Sequence, residues 1–508
     1  MLSKTYSATF YGIDALPVEI EVDSRNGLAG QTIVGLPDTA VKESKERVLS
    51  AIKNSGYEIP INKYLIINLA PAYIKKFGCH YDLPIALGIL SSTGQIKSEQ
   101  GEQILFAGEL GLDGTVKPVA GALLLAILAR ERNYRYLFVA RKNAQEAGLI
   151  KNVNIVPIDS LQDAINKLDN PAEHCLQESN LLNEEIIFPQ DDVKDVKGQA
   201  FAKRALEIAA SGGHNVFLFG SPGCGKSMLA KRVSSILPDL GEQEKIEVVK
   251  IYSIAGKIKD SIINCSQRPY RSPHHTISYA GLIGGTSMAR PGEVSLAHQG
   301  VLFLDEIPEF NKYVLEALRQ PMEDGMVHVS RALNSFSYPA SFMMIASANP
   351  CPCGYSQHPA KVCTCSDFKK KTYLQRISGP LLDRFDMVVE MKPVKEAELL
   401  NLPDGETSQE IKKRVSKARQ LQLERFSKME FKVNARMKTA DIDYFCKLDS
   451  EARQILELTA QKFALSARAM HKLLKVARTI ADLQEEKQLN KLHLLEALQY
   501  RAQLDYTA

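Results

Sequence analysis

The chain has no tryptophan, and aromatic residues make up only 7% of its 508 positions. Long hydrophobic runs are missing as well. The most apolar stretch, Val119 to Ala129, is too short to cross a bilayer and ends at Arg130-Glu131-Arg132, so no membrane partner is expected. Met1 to Phe10 lacks the basic-then-apolar layout of a signal peptide, which points to the cytoplasm. Neither sign of charge is in large surplus: the net is +4, so any nucleic-acid surface must come from local clusters of Lys and Arg. Cysteine is scarce too, at nine, yet four fall within residues 351–365. That crowding suits a metal site in a reducing compartment better than a disulfide framework. The remaining composition, 45% hydrophobic and 24% charged, is that of a globular protein. The length allows roughly two to four domains.

One stretch organises the rest. Gly220-Ser221-Pro222-Gly223-Cys224-Gly225-Lys226-Ser227 reads G-x-x-x-x-G-K-S, the phosphate-binding (Walker A) loop. The short apolar run His214 to Phe219 before it predicts a buried strand, and Met228 to Val233 after it a helix. Glycines let successive N–H groups face phosphate oxygens, and the helix N-terminus adds partial positive charge. Lys226 is expected on the β- and γ-phosphates of ATP, and Ser227 on Mg2+. Seventy-nine positions after Lys226, the run Val301 to Leu304 ends in Asp305-Glu306, the Walker B pattern. Asp305 is expected to hold Mg2+, and Glu306 to polarise the attacking water. The strand Phe342 to Ser347 leads to Asn349, an amide placed to orient that water. Glu247 to Ile251 reads as a further strand. Arg384, just before the strand Met387 to Glu390, suits an arginine finger aimed at a neighbouring subunit's γ-phosphate.

Residues 1–168 read as a compact α+β domain. Strands are predicted over 8–12, 18–22, 66–72 and, last, 136–140, with helices over 39–54, 82–90 and 121–132. Gly108 to Ala122 resembles the segment that carries the catalytic lysine of Lon-type (S5-type) proteases, but Ala122-Leu123-Leu124 follows Gly121. Gly78-Cys79-His80-Tyr81-Asp82 falls where those proteases place their serine, and no serine is there. The resemblance implies the fold without its dyad. Adjacent Cys79 and His80 rarely point at each other usefully, which favours a structural role. Residues 169–190, polar and acidic with Pro171 and Pro189, are expected to link this domain to the next.

Together these motifs complete the AAA+ pattern. The chain resembles the ComM/YifB family of the magnesium-chelatase-like branch, from about residue 5 to 505. The resembling residues are Gly35 to Ser44, Gly212 to Asn215, Arg268 to Thr276, Arg290 to His298 and Asn349 to Gly354. The resemblance implies a doubly wound parallel α/β sheet over residues 191–395 and a helical lid over 396–508. It also implies a hexameric ATP-driven helicase that migrates DNA branches in recombination during natural transformation, with recombinase-bound DNA intermediates among its partners. Ser466-Ala467-Arg468-Ala469-Met470 matches the second-sensor motif, so Arg468 is expected to contact the γ-phosphate as the lid closes. Family members usually carry glycine and an aromatic where this chain has Ala469-Met470. Arg268, Arg271, His328 and Arg331 are candidate DNA contacts, the last two on a predicted pore hairpin. Arg331 equally suits a pair with a neighbouring subunit's carboxylate. Adjacent His274 and His275 suit a basic or subunit-contact loop better than a metal site. The basic residues of 411–426, Lys412 to Arg425, ride on an amphipathic helix.

Cys351-x-Cys353 and Cys363-x-Cys365 offer four soft ligands, suited to tetrahedral Zn2+, with His358 in the loop as a replacement ligand. A reduced, unliganded loop is the bland alternative. Lys369-Lys370-Lys371 reads as a solvated run or a phosphate-backbone contact. A chelatase-type motor acting on a partner protein is the second functional reading. Against it stand the N-terminal domain and the four-cysteine insert, neither expected of a chelatase motor subunit. A protease is disfavoured by the missing serine and lysine.

Overall fold

The computed structural model describes residues 1–97, 104–176, 191–258, 266–285, 290–330, 335–356, 358, 361–393 and 405–501. The N-terminal domain is built on a mixed sheet. Its strands are β1 (Leu2–Tyr11), β2 (Asp14–Asn26), β3 (Gly30–Val34), β4 (Lys63–Ala70), β5 (Ile104–Ala107), β8 (Tyr136–Ala140) and β9 (Asn154–Ile158). A small ribbon, β6 (Glu109–Leu110) with β7 (Val116–Lys117), stands beside it. The sheet order is β3-β4-β2-β1-β5-β8-β9. The domain therefore ends one strand later than expected, at β9, which pairs in parallel with β8. The helix Thr39–Asn54 forms where its period predicts, with Asp38 accepting the Val41 N–H at its start. The linker expected at 169–190 lies mostly outside the described residues, but Pro171–His174 is still tied to β9, Leu176 N–H donating to the Ile155 carbonyl.

The second sheet runs β11 (Tyr270–Arg271), β12 (Val301–Leu304), β15 (Met343–Ala348), β10 (Val216–Gly220) and β16 (Met387–Met391), every pairing parallel. These central strands are buried on both faces, so they read as continuous apolar runs. The expected strand at Glu247 to Ile251 does not form. Glu242–Ile254 is a helix, and the outer strand is Tyr270–Arg271. The apolar run misleads because this helix is covered on two sides. Val249 packs with Leu123, Ala126 and Ile127 of the N-terminal domain, while Val248, Ile251 and Tyr252 pack against Leu296. Buried Glu146 accepts the Ser253 hydroxyl, and Lys151 pairs with Glu242 at 2.8 Å.

A hairpin of β13 (Met326–Ser330) and β14 (Ser335–Pro339) follows a helix capped by Gly325 at φ 68°. Val327, Val329, Phe336 and Tyr338 face the core. The Tyr11 ring rests on Phe336, centroids 4.7 Å apart, and its hydroxyl donates to the Ser335 carbonyl. The lid comprises Ser408–Arg425, Thr439–Phe445, Ser450–Lys462, Ala467–Leu483 and Lys491–Gln499. Its Val415, Leu473 and Val476 share one core with Ile208 and Val233 of the nucleotide domain.

Candidate functional site

The phosphate loop leaves the C-terminal end of β10. Gly223 and Gly225 have φ of 82° and 90°, and nothing lies within 4 Å of a Cβ on either, which leaves an open cradle lined by backbone. Lys226 begins the next helix and is buried. Its Nζ donates to the Gly220 carbonyl at 2.6 Å, the Ser221 carbonyl at 3.0 Å and Asn349 Oδ1 at 3.0 Å. Burial lowers its pKa from the ordinary lysine value. Ser227 Oγ donates to Asp305 Oδ2 at 2.7 Å, and Ser347 Oγ to Asp305 Oδ1 at 2.5 Å. Asn349 Nδ2 reaches Glu306 Oε1 at 3.4 Å. Glu306, at φ 51°, donates its backbone N–H to Ser347 Oγ at 3.1 Å. Lys226, Ser227, Asp305, Glu306 and Asn349 thus form one connected site, as the motifs predict. Ser347 was not foreseen; a hydroxyl interrupting the apolar run of β15 is the signal that marks it. Gln199 was also missed: it ties the Cys224 carbonyl to that of Lys392, at 3.2 and 2.7 Å. Cys224 itself is buried.

The donor set fits a magnesium nucleotide. A serine hydroxyl and an aspartate share one point, a lysine lies beside them, and the glycine cradle is unfilled.

Arg384 and Arg468 lie elsewhere. Arg384 precedes β16 at the N-terminal end of the parallel sheet, whereas the loop leaves the C-terminal end. The rungs Val216–Met387 and Gly220–Met391 separate those ends by roughly 13 Å. Arg384 is only 8% exposed and pairs with Glu323 Oε1 at 2.7 Å. Arg468 reaches the same carboxylate oxygen. Lid residue Arg436 donates to the Met322 and Glu323 carbonyls. Arg468 therefore shares an edge with Arg384 and is not joined to its own chain's phosphate loop. Glu323 was not foreseen, since its partners are far away in sequence.

The basic candidates have partners within the chain. Arg268 donates to the Pro238 and Gln299 carbonyls and pairs with Glu244 at 2.7 Å. Arg271 forms a fork with Glu293 at 2.5 and 2.7 Å. Both guanidiniums brace the nucleotide domain through these partners. His328 does stand on the exposed face of β13, bonded to Ser337 at 2.8 Å. Arg331 lies outside the described residues. The lid's basic helix is likewise committed: Arg414 to Glu207 and Glu406, Lys417 to Glu485, Arg425 to Asp482.

The four cysteines converge. Cys351, Cys353 and Cys363 have sulfurs 3.3, 3.7 and 3.6 Å apart, and all four ligand atoms lie within 4.8 Å of one another. His358 takes the Lys361 N–H instead of joining them. In the N-terminal domain Cys79 and His80 diverge. Cys79 Sγ donates to Glu109 at 2.6 Å, its thiol pushed up to about 12 by burial. His80 Nε2 meets the Ala8 carbonyl at 2.7 Å, and burial lowers it to about 4. A protonated thiol and an imidazole aimed elsewhere make no nucleophile.

Three family models cover this architecture: magnesium chelatase subunit ChlI over residues 192–399, subunit ChlI of Mg-chelatase over 20–143, and the ChlI C-terminal model over 405–501. YifB of Escherichia coli, itself uncharacterized, is 42% identical over 504 residues, covering 99% of this chain and 97% of its own. The chain belongs to the ComM/YifB family of magnesium-chelatase-like AAA+ ATPases. The competence protein ComM of Haemophilus influenzae is 41% identical over 505 residues, with 99% and 97% covered. Lon protease 2 of Bacillus subtilis is 28% identical over 152 residues, covering 28% and 27%, in keeping with the Lon-like N-terminal fold. The ChlI match at 20–143 removes one argument against a chelatase-type motor, because that domain is shared with the chelatase model. Among the described residues no helix is long and apolar enough to cross a membrane.

Proposed function

We propose that this ComM/YifB-family ATPase is a cytoplasmic DNA translocase that works as a hexameric ring on branched recombination intermediates, including recombinase-bound DNA, during natural transformation. The observation that carries the ring is the separation of Arg384 and Arg468 from the phosphate loop. A site that owns Lys226, Asp305, Glu306 and Asn349 gains from a neighbour's sheet edge the second positive charge that stabilises a transferring γ-phosphoryl group. Release of both arginines from Glu323 accompanies docking on that neighbour. Within the site, Asn349 orients Glu306, Glu306 takes the proton of the attacking water, and Lys226 holds the phosphates. Bound Mg2+, held by Ser227 and Asp305, supplies neutralising charge. The likeness to a competence protein, together with His328 exposed on the β13–β14 hairpin, supports DNA as the substrate. Turnover measured with and without four-way-junction DNA tests the reading: stimulation and strand displacement are expected, both lost in Lys226→Ala. An ATPase indifferent to junction DNA that displaces no strand overturns the translocase in favour of a chelatase-type motor.

A further inference from the structure

The cysteine insert begins two residues after Asn349 and folds back onto the nucleotide site. Gly354, at φ 83°, lies so close to the phosphate loop that a Cβ there would overlap the Pro222 ring. The same Cβ would sit 3.9 Å from Asn349 Cγ. Asn349 in turn holds both Lys226 and Glu306. One short segment thus touches the loop's proline, its lysine and the acidic residue of Walker B. Nothing in the sequence pattern of an AAA+ core requires such a brace.

The sulfur spacing identifies what holds the segment. A tetrahedral ion with metal–sulfur bonds of about 2.3 Å separates its ligands by about 3.8 Å. The observed 3.3, 3.7 and 3.6 Å are slightly contracted from that figure, and these four cysteines are free thiols, not disulfides. Backbone N–H groups of Tyr355 and Thr364 point at Cys353, and that of Cys365 at Cys363. Such donors are the outer partners that orient thiolates around a metal.

We propose that Cys351, Cys353, Cys363 and Cys365 hold one Zn2+ per chain, and that this ion fixes Pro222 and Asn349 so that ATP turnover depends on zinc. The proposal rests on the nucleotide-site reading above, but metal content tests it separately. Elemental analysis of the full chain should give about one zinc, released on mercurial titration of the thiols and seen with a colorimetric chelator. Stripped protein that keeps its helical circular dichroism should turn over ATP at least ~10-fold more slowly, the usual scale for loss of a supporting shell. Added Zn2+, but not extra Mg2+, should restore it. Gly354→Ala should retain zinc and still be slow, since it breaks the contact with Pro222 and not the ligand set. Protein without bound metal, iron in place of zinc, or full turnover after stripping overturns the proposal. So does wild-type turnover in Gly354→Ala.

Discussion

If Arg384 and Arg468 serve a neighbour's site, two inactive chains should rescue each other. Arg384→Ala keeps its own loop, Asp305 and Glu306, but offers no finger to the next chain. Lys226→Ala has no working site of its own, yet its Arg384 still stands at the far edge of the sheet. Alone, loss of the finger should cost about 10³–10⁵ in turnover. In a 1:1 mixture, an interface works when an Arg384→Ala chain gives the loop and a Lys226→Ala chain gives the arginine. With random assembly that holds at about one-half times one-half, or a quarter, of interfaces, whatever the size of the closed ring. Turnover should therefore climb from baseline to about a quarter of wild type at equal mixing, and fall off on either side. A second mixture locates Arg468. If it acts across the interface beside Arg384, then Arg384→Ala with Arg468→Ala leaves no complete interface and gives no rescue. If the lid closes Arg468 onto its own chain's nucleotide, that pair rescues as well as the first. Steady-state ATPase across mixing ratios, with mixed rings verified by native mass spectrometry, reads both. A flat baseline for the first mixture despite mixed rings refutes the shared site, and rescue in the second refutes the pairing of the arginines at Glu323 as a functional grouping.

Glu323→Ala should lower the stability of the nucleotide domain by about 1–2 kcal/mol in chemical denaturation. It strands the mostly buried Arg384 charge, at a cost discounted because Glu323 itself is 45% exposed. His80 gives a pH signature. Its folded pKa of about 4 lies below the ordinary 6.5, so the unfolded chain binds the proton first as pH falls. Stability conferred by the neutral ring is complete above pH 6.5 and is lost on the way down to pH 4. The total is on the order of 3 kcal/mol. Hydrogen exchange of β1 in the full chain should follow that loss, and His80→Gln should flatten it.

What was legible in the sequence was local. A glycine turn between a strand and a helix, two acids at a strand end, and cysteines in close pairs carry their meaning within a few residues. All came together as expected. Residues whose partners are distant in sequence did not announce themselves. Arg268 and Arg271 look like a free basic cluster until the Pro238 and Gln299 carbonyls and Glu293 are in place around them. Arg468 carries a recognisable motif, but the motif does not say which chain's nucleotide it faces. The helix Glu242–Ile254 failed for a different reason. An element covered on two sides loses the one-faced periodicity that marks a surface helix, and Val248-Val249 then favours a strand reading.

That helix also means the domain boundary drawn from the sequence is not a line of weakness. Residues 242–254 lie beyond the linker in the chain, yet Val249 is part of the N-terminal core and Ser253 satisfies a buried carboxylate there. Cutting the chain at the linker would strip a helix of half its cover and leave Glu146 buried without that hydroxyl. The two domains thus share a packed interface. A displacement of the helix Glu242–Ile254 would be passed to the N-terminal domain through those shared side chains, Val249 and Ser253 among them.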